Sequence, residues 1–235
     1  MNQLFGNSLR RSHEDSEHWI SVSDLMAGLM MVFLFISIAL MRSAILERDM
    51  IKEVAVAYQD NQVAIYEALA DEFKGDMKKW DAEIDKDSLT FRFKSPDVLF
   101  APESDAITAQ FRKILRGFFP RYMAVLHNFR TSIDEVRIEG HTSSIWFGAK
   151  SKDDAYFLNM ELSQGRTRSV LEYVYRLDSV SGEKSWVKKH VAAVGFSSSR
   201  PITDKAGNEV GERSRRVSFR VITNAETQIR KILQE

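Results

Sequence analysis

Residues Leu25 to Met41 carry no charged side chain and a single hydroxyl, Ser37. No other stretch constrains the fold as tightly. Counted from Trp19 to Met41 the segment is 23 residues, about 34 Å as a helix, against about 30 Å of bilayer hydrocarbon. Trp19 stands where an interfacial aromatic anchor belongs, and Arg42 closes the run. A cleaved signal peptide fits poorly, because it needs a basic leader, a short apolar core and a small-residue cleavage site. Here Glu14, Asp15 and Glu17 offset Arg10 and Arg11, and no such site follows. The pattern predicts one transmembrane helix over 19–42. Its flanking charges, Arg10 and Arg11 before it and Arg42, Arg48 and Lys52 after it, do not set an orientation.

Asp24 sits one residue before the uncharged run. On a helix Ala27, Gly28 and Met31 follow it at i+3, i+4 and i+7, on the same face. Small residues there would let a neighbouring helix approach closely. An ionisable group at the edge of hydrocarbon is costly, which marks it for function. Spacing alone leaves a second reading open: Ser21, Ser23 or Asp24 could cap a helix that begins at Leu25.

Lys plus Arg equals Asp plus Glu, 33 each, a balance that argues against a general nucleic-acid binder. There is no cysteine, so disulfides, thiolate metal sites and cysteine nucleophiles are excluded. The histidines, His13, His18, His127, His141 and His190, form no metal-ligand spacing. No nucleophile–base set or carboxylate pair stands out. Neither an enzyme nor a metal or cofactor protein is expected.

From Arg42 to Lys74 there is no glycine or proline, and Leu46, Met50, Val54, Tyr58, Ile65, Leu69 and Phe73 recur mostly at four-residue steps. This predicts an amphipathic helix that continues the membrane helix as a stalk and pairs with a second copy of itself. Residues 74–87 are polar and read as a linker or short helix. Strands are predicted at 88–93, 135–142, 187–196 and 215–223 from alternation, and helices at 105–129, interrupted by Pro120, and at 155–177. Leu162, Val170, Val174 and Leu177 are the expected core of the second helix. The expected fold is a transmembrane helix and helical stalk followed by an α/β sandwich. Its expected bounds are an N-terminal segment 1–18, the helix 19–42, a stalk and linker 43–87, the sandwich 88–223 and a tail 224–235.

"IEGHT" (138–142), "LNMELSQGRTRSVLEYV" (158–174), "GFSSSRPI" (195–202) and "ERSRRVSFRV" (212–221) together resemble the OmpA-like peptidoglycan-binding domain. That family runs roughly GHTD, N-x-x-LS-x-x-RA, G-x-G-x-x-x-P, NRRV, in this order and at this spacing. The resemblance implies a peptidoglycan site. Arg166 falls on the ligand arginine, Asn159 on the asparagine, and Leu162 and Ser163 on the LS pair. His141 and Thr142 fall on the turn, Arg215 and Arg216 on the RR pair, and Tyr156, in the first turn of the ligand helix, is a further candidate for the site. A guanidinium fork suits the carboxylates of a peptidoglycan stem. Three features depart from the family pattern. Ser143 replaces its aspartate, Ser214 replaces the asparagine of NRRV, and "SIWFGAKSKDDAY" (144–156) is inserted. Asp153 or Asp154 is the expected replacement for the missing carboxylate.

The chain as a whole resembles the MotB family of stator subunits. "DLMAGLMMVFLF" (24–35) is similar to that family's DFMTAMMAFFLV-like segment, with Asp24 on the ion-carrying aspartate. The short N-terminus, the GHTSS turn and "LNMELSQGRTR" are most similar to the stator-like subunits of Zorya anti-phage defence systems. The resemblance implies a homodimer inside a pentameric MotA-like ring in the bacterial inner membrane. It also implies a cytoplasmic N-terminus and a periplasmic, wall-bound C-terminal domain. Ions would pass by Asp24, with Ala27, Gly28 and Met31 packing in the pore. Protons are expected rather than Na⁺, because few oxygens besides those of Ser21 and Ser23 lie near Asp24. The rival expectations are a flagellar-type stator subunit and a passive envelope tether.

Overall fold

The computed structural model describes residues 6–94, 96–101 and 103–224, with the backbone alone for 6–18, 20, 21, 96 and 97. Residues 1–5 and 225–235, the outer parts of the expected N-terminal segment and tail, lie outside the described residues. The side chain of Ser21, weighed as a cap and as a cation neighbour, lies outside them too. The chain divides into two compact units, Met1–Glu53 and Val54–Glu235.

Helix α1 runs from Gly6 to Phe73, 68 residues. With neither glycine nor proline between Arg42 and Lys74, nothing breaks it after the apolar run, and the expected continuity holds. Among the described residues it is the one helix long and apolar enough to cross a membrane, and its most apolar window is wholly unburied. Asp24 lies well inside this helix. A cap residue has non-helical backbone at a helix start, so the capping alternative for Ser21, Ser23 and Asp24 falls.

The second unit holds a five-stranded sheet in the order β1-β2-β5-β3-β4, built from β1 (Ala82–Asp85), β2 (Thr90–Phe93), β3 (Ile133–His141), β4 (Val191–Gly195) and β5 (Arg216–Thr223). Only β3 and β4 are parallel. The helices are α2 (Pro96–Leu99), α3 (Ala109–His127), α4 (Lys152–Tyr175), α5 (Lys184–His190) and α6 (Gly211–Ser214). The expected α/β architecture is present.

Four local expectations change. Strand β1 was read as linker, because a four-residue strand, "AEID", has too little alternation to see. It is made by a tight hairpin in which the Asp85 carboxylate accepts from Ser88 N (2.8 Å) and Ser88 Oγ (2.7 Å). Residues 187–190, read as strand, are the end of α5: Val187 is buried and Trp186 stacks on His190, four residues on, at 4.9 Å. Pro120 does not interrupt α3. Its ring removes one N–H donor, but Phe118, Phe119 and Tyr122 on either side are fully buried and hold the helix through it. Helix α4 begins before the expected 155, at Lys152, because Ser151 caps it by accepting from Asp154 N (3.1 Å).

The largest correction concerns the stalk. Ile65, Leu69 and Phe73 were read as a seam for a second copy, yet all three are fully buried in the core of the second unit. Phe73 meets Phe118 at 5.1 Å and Phe91 at 5.2 Å between ring centroids. Phe118 in turn contacts Phe93, Tyr122 and Phe219. Arg121 closes this contact from outside, with Nε to Glu72 Oε1 (2.5 Å), Nη1 to Asp76 Oδ2 (2.7 Å) and its plane 4.8 Å over Phe73. The compact unit therefore starts near Val54, not at 88.

The strict alternation of "RRVSFRVIT" is realised. Phe91, Phe219 and Ile138 are in register on the apolar face, while Glu83, Arg92, Ser218 and Glu139 are in register on the other.

Candidate functional site

Two glycines let α4 lie directly on the ends of the parallel strands. A Cβ on Gly140 would sit 2.8 Å from the Ser163 carbonyl oxygen, and one on Gly195 would sit 2.5 Å from Gln164 N. Ser163 uses the closeness: its Oγ donates to Met160 O (3.0 Å) and accepts from Ser197 N (3.1 Å). Ser197, held at φ +51°, accepts from Thr142 N through its carbonyl (2.9 Å) and donates from Oγ to Tyr156 O (2.7 Å). Helix α4, the turn after β3 and the loop after β4 are thereby fixed to one another.

Above this junction opens a cleft of about 340 Å³. It is lined by Asn159, Leu162 and Arg166 of α4, by Thr142 and Ser143 after β3, and by Arg215 before β5. Five of the predicted site residues thus come together: Asn159, Leu162, Arg166, Thr142 and Arg215. Asn159 and Thr142 are each 3% exposed, and neither Asn159 Nδ2 nor Thr142 Oγ1 has a hydrogen-bond partner. Buried polar atoms left unpaired are costly, and these two belong to residues that border the cleft. Arg166 serves two ends. Its Nε donates to Ser104 O (2.9 Å), its Nη2 reaches Ala101 O (3.4 Å), and its plane lies 4.9 Å over Phe100.

The other predicted residues sit elsewhere. Ser163 is the buried clasp just described. Tyr156 contributes its backbone carbonyl to that clasp and its ring packs edge-on against Phe157; it does not line the cleft. His141 and Arg216 face each other across β3 and β5 and are buried beneath. Arg216 Nη1 donates to Ser214 O (2.9 Å) and Nη2 to Arg200 O (3.1 Å), and burial pushes its pKa down to about 10. Leu162 lines the cleft rather than the core, whereas Val170 and Val174 are core as expected. Ser214 Oγ accepts from Ile202 N (2.9 Å) and braces the loop before β5. Asp154 accepts from Lys150 N (2.8 Å) at the start of α4, Asp153 is exposed, and neither borders the cleft. Among the described residues, the carboxylate that does border it is Glu103, in the loop between α2 and α3. Sequence reading missed it because an acid in a loop carries no periodic signal and lies far in sequence from the motif. Trp146 and Phe147 of the insertion complete the rim, Phe147 almost fully exposed.

Beneath the cleft Glu139 lies 3.4 Å from His141 Nε2 and 3.8 Å from Arg200. Burial raises the Glu139 carboxyl, but the His141 hydrogen bond and the nearby guanidiniums outweigh it and the net shift is downward. Burial lowers His141, more than Glu139 raises it. Both folded-state values are depressed, so both contributions to stability are present above the unfolded values, about 4.3 and 6.5, and fade as pH falls through the folded ones. The urea midpoint of residues 54–235 is expected to fall from pH 7.5 to pH 3, first through His141, below about pH 6.5, and then through Glu139, below about pH 4.3. Glu139→Gln with His141→Gln should flatten that dependence, and a profile as steep as the wild type's would refute the assignment.

In the first unit Asp24, Ala27, Gly28 and Met31 are all exposed. A Cβ on Gly28 would meet nothing within 4 Å. Nothing from this chain, among the described residues, covers that helix face.

The helix, long and apolar enough to cross a membrane, leads into an α/β unit of the OmpA-like class, and the OmpA family model matches residues 99–215. Across the whole of both chains the sequence is 57% identical to the Zorya protein ZorB of Escherichia coli strain ATCC 8739. The chain belongs to the family of that protein. Among solved structures it is similar to a MotB-like protein of Desulfovibrio vulgaris (TM-score 0.48, 21% identity, 73% of this chain and 94% of that one). It is also similar to the cell wall anchor of the type VI secretion system of Pseudomonas aeruginosa (0.46, 22%, 66% and 96%). A third likeness is to the periplasmic domain of Helicobacter pylori MotB (0.43, 18%, 65% and 88%).

Proposed function

We propose that this chain is a MotB-like stator subunit of an ion-driven motor serving anti-phage defence, anchored to peptidoglycan by its second unit. The observation that carries the reading is a single one. In a chain 57% identical to a Zorya protein over its whole length, Asp24 is unburied, lies inside α1 and stands one residue before an uncharged, membrane-length run. The N-terminus lies in the cytoplasm, the helix crosses the inner membrane, and the second unit stands in the periplasm. Two copies sit inside a pentameric ring of a MotA-like partner, ZorA, whose helices pack on Ala27, Gly28 and Met31. Asp24 takes up a proton from the periplasmic side. Once neutral it can enter a drier site, and release to the cytoplasm restores its charge. Each charge that crosses about 100 mV releases about 2.3 kcal/mol. The wall anchor holds the dimer still, so the ring turns.

The cleft supports the anchoring half. Its guanidiniums and unpaired amide and hydroxyl suit the carboxylates and amides of a peptidoglycan stem. Arg166→Ala with Asn159→Ala is expected to reduce co-sedimentation of the full chain with isolated sacculi by at least about tenfold. Undiminished co-sedimentation would overturn the site. Asp24→Asn tests the motor half and separates it from a passive tether.

A further inference from the structure

We infer that the inserted loop after β3 is a saccharide platform: Trp146 and Phe147 receive the sugar rings from which a stem hangs, so that the unit reads glycan and stem together. The inference rests on the wall-binding reading above and deepens it.

The insertion is pinned at both ends. At one, Ser144 N donates to Glu209 Oε1 (3.0 Å) and Ser144 Oγ donates to Glu209 Oε2. At the other, Lys150 N donates to Asp154 Oδ2 (2.8 Å). Between them Ala149 N donates to Trp146 O (3.3 Å) and Gly148 turns the chain at φ +82°, a left-handed backbone that glycine takes without strain. The loop so held keeps its apolar side chains out of the core: Phe147 is 93% exposed and Ile145 77%. Exposed apolar side chains grouped on one fixed loop mark a contact surface.

Its place selects the occupant. Trp146 and Phe147 border the cleft that holds Asn159 and Arg166. Trp146 also borders a second cleft, of about 310 Å³. Leu162 is shared as well, so the two clefts adjoin. The second is lined further by Leu158 and by the carboxylate residues Asp105 and Glu161. Asp105 lies close on α4, where a Cβ at Gly165 would come 3.0 Å from its Oδ2. An indole, an aliphatic side chain and carboxylates suit a sugar ring. The C–H groups on its faces pack on the aromatic ring, and the hydroxyls at its edge donate to carboxylates. A stem is joined to its sugar through a lactyl amide, so a sugar stands within one linkage of the first residue of any stem in the first cleft. An anionic lipid surface is the poorer occupant: Asp105, Asp153, Asp154, Glu161 and Glu209 outnumber Lys150 and Lys152 around the loop.

The test uses the full chain in micelles of a detergent without a sugar headgroup. Two soluble probes carry the same stem, one as a disaccharide–stem muropeptide and one as an N-acetylated stem peptide with no sugar. The wild type is expected to bind the muropeptide about tenfold more tightly, the scale of one or two stacking contacts. Trp146→Ala with Phe147→Ala should bring that ratio to about one, and Trp146→Phe, which keeps a flat ring, should retain part of it. The neutral tetramer of N-acetylglucosamine should bind the wild type measurably and the double variant at least about tenfold more weakly. Thermal midpoints equal to the wild type's show that the variants fold. If the double variant keeps the tenfold ratio, or weakens both probes by one factor, the inference is overturned. If it alters only liposome binding or oligomeric state, the loop has another occupant and the inference is overturned too. If the wild type binds both probes equally, the inference falls and the wall reading stands. If it binds neither, both fall.

Discussion

Asp24→Asn is expected to reduce protection against phage to the level of a strain lacking the gene. Membrane insertion, complex formation with the ring partner and binding to sacculi should stay at wild-type levels. Asparagine keeps the size and polarity of the side chain but cannot bind and release a proton. The helix gives the substitution no structural cost, since Asp24 is exposed, lies inside α1 rather than at its start, and has no partner within the chain among the described residues. A loss of protection with intact assembly would therefore report the charge alone. Asp24→Glu, which restores a titratable group on a longer arm, should recover part of the activity. Protection undiminished in Asp24→Asn would sink the motor reading and leave the passive tether standing.

A fragment of residues 54–235 is expected to unfold cooperatively, and one of residues 88–235 to lack a stable native fold. The shorter fragment discards Ile65, Leu69 and Phe73 from the core, removes β1, and exposes Phe91 and Phe118 on the side where Phe73 lay. Each lost apolar side chain removes about 1.5–3 kcal/mol of burial, against a total stability of about 5–15 kcal/mol for a domain. The loss of three such residues and an edge strand is enough to consume most of it. Within 54–235, Phe73→Ala alone should cost about 3–5 kcal/mol, read as a fall in the urea midpoint. Equal midpoints for the two fragments would refute the assignment of the end of α1 to this core. The Arg121 clasp on Glu72 and Asp76 should contribute far less, because its side chain is 39% exposed and water screens the pairs. If the prediction holds, the last part of α1 is a structural member of the wall-binding unit and not a flexible tether to it.

The features legible in the sequence were those whose signal is local and repeated. The uncharged run, the unbroken helical pattern from Arg42 to Lys74, the strict alternation of β5 and the order of the OmpA-like motifs each repeat a period or a fixed spacing. Each is found as expected, with 57% identity to a Zorya protein over the full chain. Short elements were not legible. Four residues of β1 hold two periods of alternation at most, and 187–190, with a single apolar residue, run without a break into β4 while folding as the end of α5 around Val187. Within the site, the α4 residues Asn159, Leu162 and Arg166 were found through the resemblance to the OmpA-like motif, whose spacing puts them on neighbouring turns of one helix. Tyr156, His141, Ser163 and Arg216 were expected in the cleft and lie under or beside it, since adjacency in a motif does not say which way a side chain points.

The sequence by itself determined that one helix can cross a membrane, that Asp24 stands at its edge, and that an α/β unit with a wall-binding pattern follows. Periodicity and composition suffice for the helix, the place of Asp24 and the α/β order, because they depend on neighbours within a few residues; the wall-binding pattern came only as a resemblance to the OmpA-like family. Only the tertiary structure decided that Asp24 is not a cap, that the end of the stalk is core, and that Glu103, not Asp153 or Asp154, borders the cleft. The first follows from the helical backbone that runs from Gly6 past Asp24; the other two depend on contact between residues tens of positions apart. Glu103 reaches the cleft because Arg166, 63 residues further along the chain, holds the carbonyls on either side of it.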